Sequence, residues 1–281
     1  MSAAGPPPGE HRAPNGIFYR IAGAEAATDR EPLLLLHGLM VSGAMFDPLV
    51  ALLAPDFRLI VPDLRGHGAS GDLAGPYDVA QLAADLDAVL ADAAVPRCAV
   101  LGYSHGGAVA QQLAHTRPAA VARLLLVATY ACNVATPRER IEAAVLAALL
   151  GVFTPGGLAR LIVQSSRPRP DGEIGADADQ VRWLRALMAA NRAAPMRAAA
   201  RGLATFDARP WLADLAAPPS SSPAPTTPAS RCTNTTRWSP AFLERGGVWS
   251  SGPDTCWPGR TRRRWRRSCG GSGRYLSQRR R

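Results

Sequence analysis

Gly102-Tyr103-Ser104-His105-Gly106-Gly107 decides how the rest of the chain is read. The hexapeptide fits G-x-S-x-G, follows the apolar run Ala99–Leu101, and opens a small-residue segment, Gly106–His115, with a helical pattern. A strand, a tight turn and a helix in that order force the turn serine into a strained backbone conformation. Glycines flank it because a Cβ there would clash. The turn exposes Ser104 Oγ at the strand's C-terminal end, and the helix N-terminus behind it favours developing negative charge. Ser104 is therefore the candidate nucleophile. The blander reading, a serine that merely completes a turn, does not account for the strand before it and the helix after it.

Upstream, the continuous apolar run Leu33–Leu36 reads as a strand buried on both faces and ends at His37-Gly38-Leu39-Met40. His37 is read as a structural histidine rather than a catalytic one, beside a glycine, Gly38, that lets the backbone approach the site. In that reading the Leu39 N–H points into the site. Together with the His105 N–H it would form an oxyanion hole, and the His105 side chain is incidental. The loop Pro62–Ser70 also leaves a strand end. A metal site there is the sharper reading. The preferred one is a rigid loop in which Asp63 and Arg65 satisfy backbone groups, so no metal is expected. His115 and Arg117 suit a helix C-terminus, and Cys98 and Cys132 read as small core or near-core residues.

Further strands are expected at 17–22, 57–61 and 124–128, with helices at 45–53 and 78–90. In the second helix Val79, Leu82, Leu86, Val89 and Leu90 share a face, and Asp85, Asp87 and Asp92 point elsewhere. This alternation implies an α/β fold with a mostly parallel sheet covered on both faces. From 137 to 205 the pattern changes to helices only, at 138–150, 158–165, 179–190 and 196–203. That insertion suits a lid over the working edge of the sheet. Residues 210–217 suit a last helix returning to the sheet. After Pro218 no segment keeps a period of 2 or 3.6.

Composition changes at the same place. The chain has 281 residues and a formal net charge of +10, with every basic residue an arginine. Residues 1–217 carry 19 Arg against 20 acids, a balance of −1; residues 218–281 carry 13 Arg against Glu244 and Asp254, a balance of +11. The basic character that would suggest nucleic acid belongs to the tail and not to the ordered part. A hydrophobic content of 47% excludes wholesale disorder. No apolar run reaches membrane length, and the Pro-, Gly- and Ala-rich start has no signal core. Five scattered cysteines with no C-x-x-C point to reduced thiols and a cytoplasmic location.

The motifs Leu33–Met40, Asp63–Ser70 and Gly102–Gly107, in this order, resemble the α/β-hydrolase superfamily over residues 17–217. They are most similar to its bacterial serine esterase, lactonase and haloperoxidase-like branch with a helical cap. The resemblance implies Ser104 as nucleophile and Leu39 and His105 as oxyanion-hole donors. His37, Gly38, Asp63, Arg65, Gly102 and Gly106 are then structural residues near the site. It also implies a cap at 131–205, no cofactor, a small-molecule acyl substrate, and no specific nucleic-acid or membrane partner. The domain plan is a flexible N-terminus (1–16), core (17–130), cap (131–205), return to core (206–217) and a disordered Arg/Pro/Ser/Gly-rich tail (218–281). The apolar cap residues (Val145, Leu149, Leu150, Val152, Phe153 and Leu158 among them) suit either a hydrophobic substrate group or packing within the cap.

The tail departs from the family. The triad order in this fold is Ser, then Asp or Glu, then His, yet no histidine follows His115 and no acid loop follows Pro218. The family's last two strands are missing, which would leave 124–128 as a bare apolar edge prone to aggregation. A shifted reading frame accounts for the departure. Taking the last base of each codon with the first two of the next, Ser220–Ser222 supply three apolar residues if their codons begin TC. The following junctions then permit Ala-Gly-Ala-Asp-Asp. Across Asp254–Thr255 only His or Tyr can arise, and Cys256–Trp257 and Trp257–Pro258 are forced to Leu and Ala. Strand, acid and histidine loop return in the family's order, which puts the shift between about Leu215 and Ser220. Two readings stay open: an ester-acting serine hydrolase impaired by loss of its acid and histidine, or a non-catalytic relic whose basic tail binds nucleic acid or anionic surfaces non-specifically.

Overall fold

The computed structural model describes residues 9–23, 30–134, 137–164, 178–212, 215 and 248–251. The sheet begins with β1 (Glu10–Arg12), β2 (Phe18–Ala22) and β3 (Leu33–Leu36). A 3-10 turn at Gly43–Phe46 leads into α1 (Asp47–Leu53), whose first turn carries Pro48. Proline fits there because its missing N–H would have no helical partner anyway. Then come β4 (Leu59–Pro62), α2 (Val79–Asp92), β5 (Cys98–Tyr103), α3 (His105–Thr116) and β6 (Val121–Val127). Four helices follow: α4 (Pro137–Val152), α5 (Pro155–Gln164), α6 (Ala178–Ala189) and α7 (Ala193–Ala204). The last described strand is β7 (Val248–Ser251).

The strand order is β1-β2-β4-β3-β5-β6-β7. β4, β3, β5 and β6 run parallel to one another; β1–β2, β2–β4 and β6–β7 pair antiparallel. β3 and β4 are buried at every position, which explains their unbroken apolar runs. Chain order reverses between β4-β3 and β5-β6. A crevice opens beyond the carboxyl ends of β3 and β5 at such a reversal, and ligands bind there in open α/β sheets. His37 and Ser104 leave the sheet at those two ends.

α2 starts where the Asp78 side chain accepts the Gln81 N–H at 2.9 Å, an N-cap. Its apolar face, Val79, Leu82, Leu86, Val89 and Leu90, joins the main core with Leu34, Leu36, Val100 and Leu113. A second cluster on the opposite face of the sheet holds Leu33, Leu35, Leu59 and Val61 against α1. A third joins Met40 and Val41, just beyond β3, to Leu150, Leu158, Met188 and Met196 of the four-helix segment.

Three features differ from the sequence expectation. Residues 10–12, assigned to a flexible N-terminus, form β1: the pairing Glu10↔Arg20 to Arg12↔Phe18 is a backbone ladder that needs no apolar pattern. Asp85 lies on the buried face of α2 at 4% exposure, because Arg65 reaches it with a bidentate pair at 2.6 and 2.7 Å. The β6 edge, expected to be bare, carries β7 in register Leu124↔Ser251 to Val127↔Val248. Residues 216–247 and 252–281, and with them most of the tail assignment and the reconstructed acid and histidine loops, lie outside the described residues.

Candidate active site

Ser104 joins β5 to α3 at φ 51°, ψ −115°. That region is disfavoured for a residue with a Cβ and costs about 1–3 kcal/mol, so the surroundings must hold it. They do so through the backbone. The Ser104 N–H donates to Val127 O at 2.9 Å, and Ser104 O accepts from Gly107 N–H at 2.9 Å and from Thr129 Oγ1 at 2.7 Å. A Cβ on Gly106 would lie 2.1 Å from Leu36 O, and one on Gly102 would lie 2.5 Å from Gly106 O. Both contacts are with backbone that cannot step aside, so the turn passes only with glycine on each side. The Ser104 side chain is half-buried, and its hydroxyl has no hydrogen bond to a described residue. Thr129, which ties β6 to the turn, escaped the sequence reading because nothing local marks it.

His37 is buried with both ring nitrogens occupied. Nδ1 lies 2.8 Å from Gly38 O and Nε2 lies 2.9 Å from Leu64 N. A backbone N–H can only donate, so Nε2 accepts and Nδ1 carries the proton. The ring is therefore neutral and ties the loop after β3 to the loop after β4. Gly38 packs under Tyr103, leaving 3.1 Å for an added Cβ. Leu39 is partly buried against the main core, and Met40 follows it at φ 67°.

Asp63 accepts Gly43 N–H at 2.7 Å and Ala69 N–H at 2.8 Å. Burial pushes its carboxyl above the ordinary value, and the two N–H donors oppose that rise. Arg65 donates to Ala74 O at 2.6 Å, but its main partner is the Asp85 carboxylate, which the loop reading did not anticipate.

His37, His67 and His105 are all fully buried. Ring centroids lie 5.1 Å apart for His37 and His67 and 6.0 Å apart for His67 and His105. His67 Nδ1 meets Arg65 O at 3.1 Å, whereas His67 Nε2 and both nitrogens of His105 have no partner among the described residues. Burial lowers all three below the ordinary 6.5, His37 to about 4, His67 to about 3 and His105 to about 3, each helped by a neighbouring imidazole. No group of three or more His, Cys, Asp or Glu among the described residues is placed to hold a metal ion. No helix among them is long and apolar enough to cross a membrane.

The four-helix segment answers one open question about its apolar residues. Leu150 and Leu158 are buried within its own cluster, while Val145, Val152 and Phe153 face solvent. Packing in that cluster accounts for the buried ones. His115, read as a dipole partner, stacks on Trp211 at 4.3 Å, and Arg117 pairs with Asp87 at 2.8 Å. Cys98 and Cys132 are free thiols; burial pushes the Cys98 thiol up to about 12, far from a reactive thiolate.

Comparison with known proteins agrees with this architecture. A sequence model of the alpha/beta hydrolase fold family matches residues 31–215. A hydrolase of known structure from Pseudomonas aeruginosa PA01 is 27% identical, with a TM-score of 0.62 over 73% of this chain and 75% of that one. The enol-lactonase of Burkholderia xenovorans LB400 is 22% identical and superposes with a TM-score of 0.60 over 72% and 75%, a likeness of fold. RutD of Variovorax paradoxus, named as a candidate carbamate hydrolase, is 42% identical over 113 residues, 40% of this chain and 41% of that one. The matches span between 30% and 41% of the length of the first curated relatives. With a family match from residue 31 to 215 around this strand order and this serine turn, the chain belongs to the α/β-hydrolase fold family.

Proposed function

We propose that the chain is an ester-acting serine hydrolase of small carboxylic esters, lactones or thioesters, with Ser104 as nucleophile. The observation that carries this is the strained Ser104 backbone, φ 51° and ψ −115°, at the N-terminus of α3 and beside the strand-order reversal. Ser104 Oγ attacks the acyl carbon, and the carbonyl π pair moves onto oxygen. The N–H groups of Leu39 and His105 hold that oxyanion. Collapse expels the alcohol or thiol, which takes up the proton shed by Ser104, and water then clears the acyl-enzyme, its hydroxyl passing to the acyl carbon and its proton to Ser104 Oγ. The four helices α4–α7 act as a cap over the crevice, supported by the packing of Met40 and Val41 into their cluster. Lactone and carbamate hydrolysis, the activities named for similar proteins, are acyl transfers of this type. No cofactor is required, and a reducing, cytoplasmic setting fits the free thiols.

Proton removal from Ser104 is the impaired step. No histidine follows His115 in the sequence, and His37 spends both ring nitrogens on backbone groups. Loss of triad members lowers rate by several orders of magnitude and leaves what the oxyanion donors supply. The shifted reading frame proposed between about Leu215 and Ser220 explains the loss, and the family match ending at residue 215 supports it.

A fluorophosphonate probe, with and without added imidazole as an external base, tests the reading. Labelling that Ser104→Ala abolishes is expected. Its absence, joined to salt-sensitive retention of nucleic acid, would favour the non-catalytic reading. Sequencing the locus across codons 210–281 tests the frame; an intact, verified frame overturns that part.

A further inference from the structure

We infer that Asn191 is a positioning residue for the oxyanion-binding backbone, and that it makes the four-helix segment part of the catalytic geometry as well as a cap. The inference rests on the proposed role of the Leu39 N–H. Asn191 lies between α6 and α7 and is 7% exposed. Its Nδ2 donates to Met40 O at 2.8 Å and to Leu187 O at 2.9 Å, and its Oδ1 accepts the Gly68 N–H at 2.9 Å. The amide orientation is fixed by chemistry: two carbonyls require the NH₂ group, and one N–H requires the oxygen.

These bonds close a circuit. Met40 is bound through Asn191 to Gly68. Its neighbour Ala69 donates to Asp63, and Asp63 accepts the N–H of Gly43, three residues past Met40. The segment that follows the Leu39 N–H is thus held at the Met40 carbonyl by Asn191 and at the Gly43 N–H by Asp63. The hold is needed because Met40, which has a Cβ, sits at φ 67°. A non-glycine residue in the left-handed region relaxes when its carbonyl is released, and relaxation of Met40 turns the Leu39–Met40 peptide and, through the Leu39 Cα, re-aims the preceding Gly38–Leu39 peptide, which carries the Leu39 N–H. The Met40 side chain, buried in one cluster with Met188 and Met196, brings the loop to the helices, and the Asn191 bond acts on the backbone itself. Donors aimed at a developing oxyanion act only when correctly oriented, so the effect falls on the chemical step and not on ground-state binding.

The experiment measures phosphonylation of Ser104 by a fluorophosphonate in the full chain with added imidazole, separating the maximal rate from the half-saturating concentration. Asn191→Ala is expected to lower the maximal rate about tenfold or more with half-saturation unchanged. Asn191→Asp keeps the acceptor for Gly68 but turns a carboxylate oxygen toward Met40 O. It is expected to lose rate to a similar extent, and it keeps the inference testable if the alanine variant does not fold. Leu184→Ala, which trims side-chain packing in the same cluster, is expected to lower the thermal midpoint and leave the maximal rate unchanged. Equal rates in wild type and Asn191→Ala overturn the inference, as does an equal loss in Leu184→Ala. No labelling of the wild type overturns the nucleophile reading and this inference with it; labelling that Asn191 variants do not slow overturns this inference alone.

Discussion

Acidification is the perturbation that the buried histidines make most consequential. His37, His67 and His105 are neutral in the folded chain, with pKa values of about 4, 3 and 3, against 6.5 when solvated. Below pH 6.5 the unfolded chain takes up protons that the folded chain refuses, so stability is full above that value and is lost as pH falls toward 3–4. Between pH 7.5 and pH 5 each histidine held neutral costs about 2 kcal/mol, and the three together about 6 kcal/mol. That loss is comparable with the whole stability of an ordinary domain, about 5–15 kcal/mol. Proximity reinforces it: with rings 5.1 and 6.0 Å apart, a first proton raises the cost of a second inside the fold. Asp63 works the other way, because burial raises its carboxyl and favours the folded chain on acidification. It therefore offsets part of the histidine loss. Urea unfolding followed by circular dichroism at half-unit steps from pH 7.5 to 5 gives the slope, and a constant m-value verifies that the same transition is being followed. A free energy of unfolding flat to within about 1 kcal/mol over that range would refute the reasoning.

The same cluster and its neighbours give three further outcomes. His105→Met removes two buried nitrogens that have no described partner while keeping the backbone N–H. It should raise stability by about 1–3 kcal/mol, reduce the acid slope by about a third and preserve Ser104 labelling; a destabilised variant would show that the imidazole holds a partner. Gly106→Ala should cost about 3 kcal/mol or more, read as loss of soluble folded protein, because the new Cβ meets Leu36 O; a thermal midpoint within a few degrees of wild type contradicts the turn geometry. Asp85→Ala leaves Arg65 largely buried without its bidentate partner and should cost about 3 kcal/mol by chemical denaturation, whereas an exposed pair such as Arg138–Glu142 should cost under about 1 kcal/mol.

Local pattern carried the parts of the fold that local chemistry determines. Leu33–Leu36 and the α2 face Val79–Leu90 were legible because burial demands unbroken or periodic apolar residues. The serine turn was legible because only glycine fits at 102 and 106. What escaped depends on partners distant in sequence. Asp85 looked like a solvated helix residue until Arg65, twenty positions earlier, turned it inward. β1 has no apolar alternation because its register is set by backbone pairing to β2. Asn191 stands beside Arg192 between alanine-rich helices, and its meaning lies in Met40, 151 positions away. An asparagine just past a helix end was the available signal, but a helix end alone explains an asparagine equally well.

Met40 and Val41 belong by chain order to the sheet's loops and by packing to the helices. That shared ownership bears on recombination. A chimera that grafts a foreign helical segment between β6 and residue 206 inherits two apolar side chains cut to fit the original, and an N–H at Gly68 that the graft must satisfy. Crossover points chosen at residues 131 and 205 therefore do not isolate a transferable module. The unit that can be exchanged intact includes residues 39–43 and 66–70, and libraries built on smaller exchanges should yield folded members only where the incoming segment happens to supply an asparagine-like bridge.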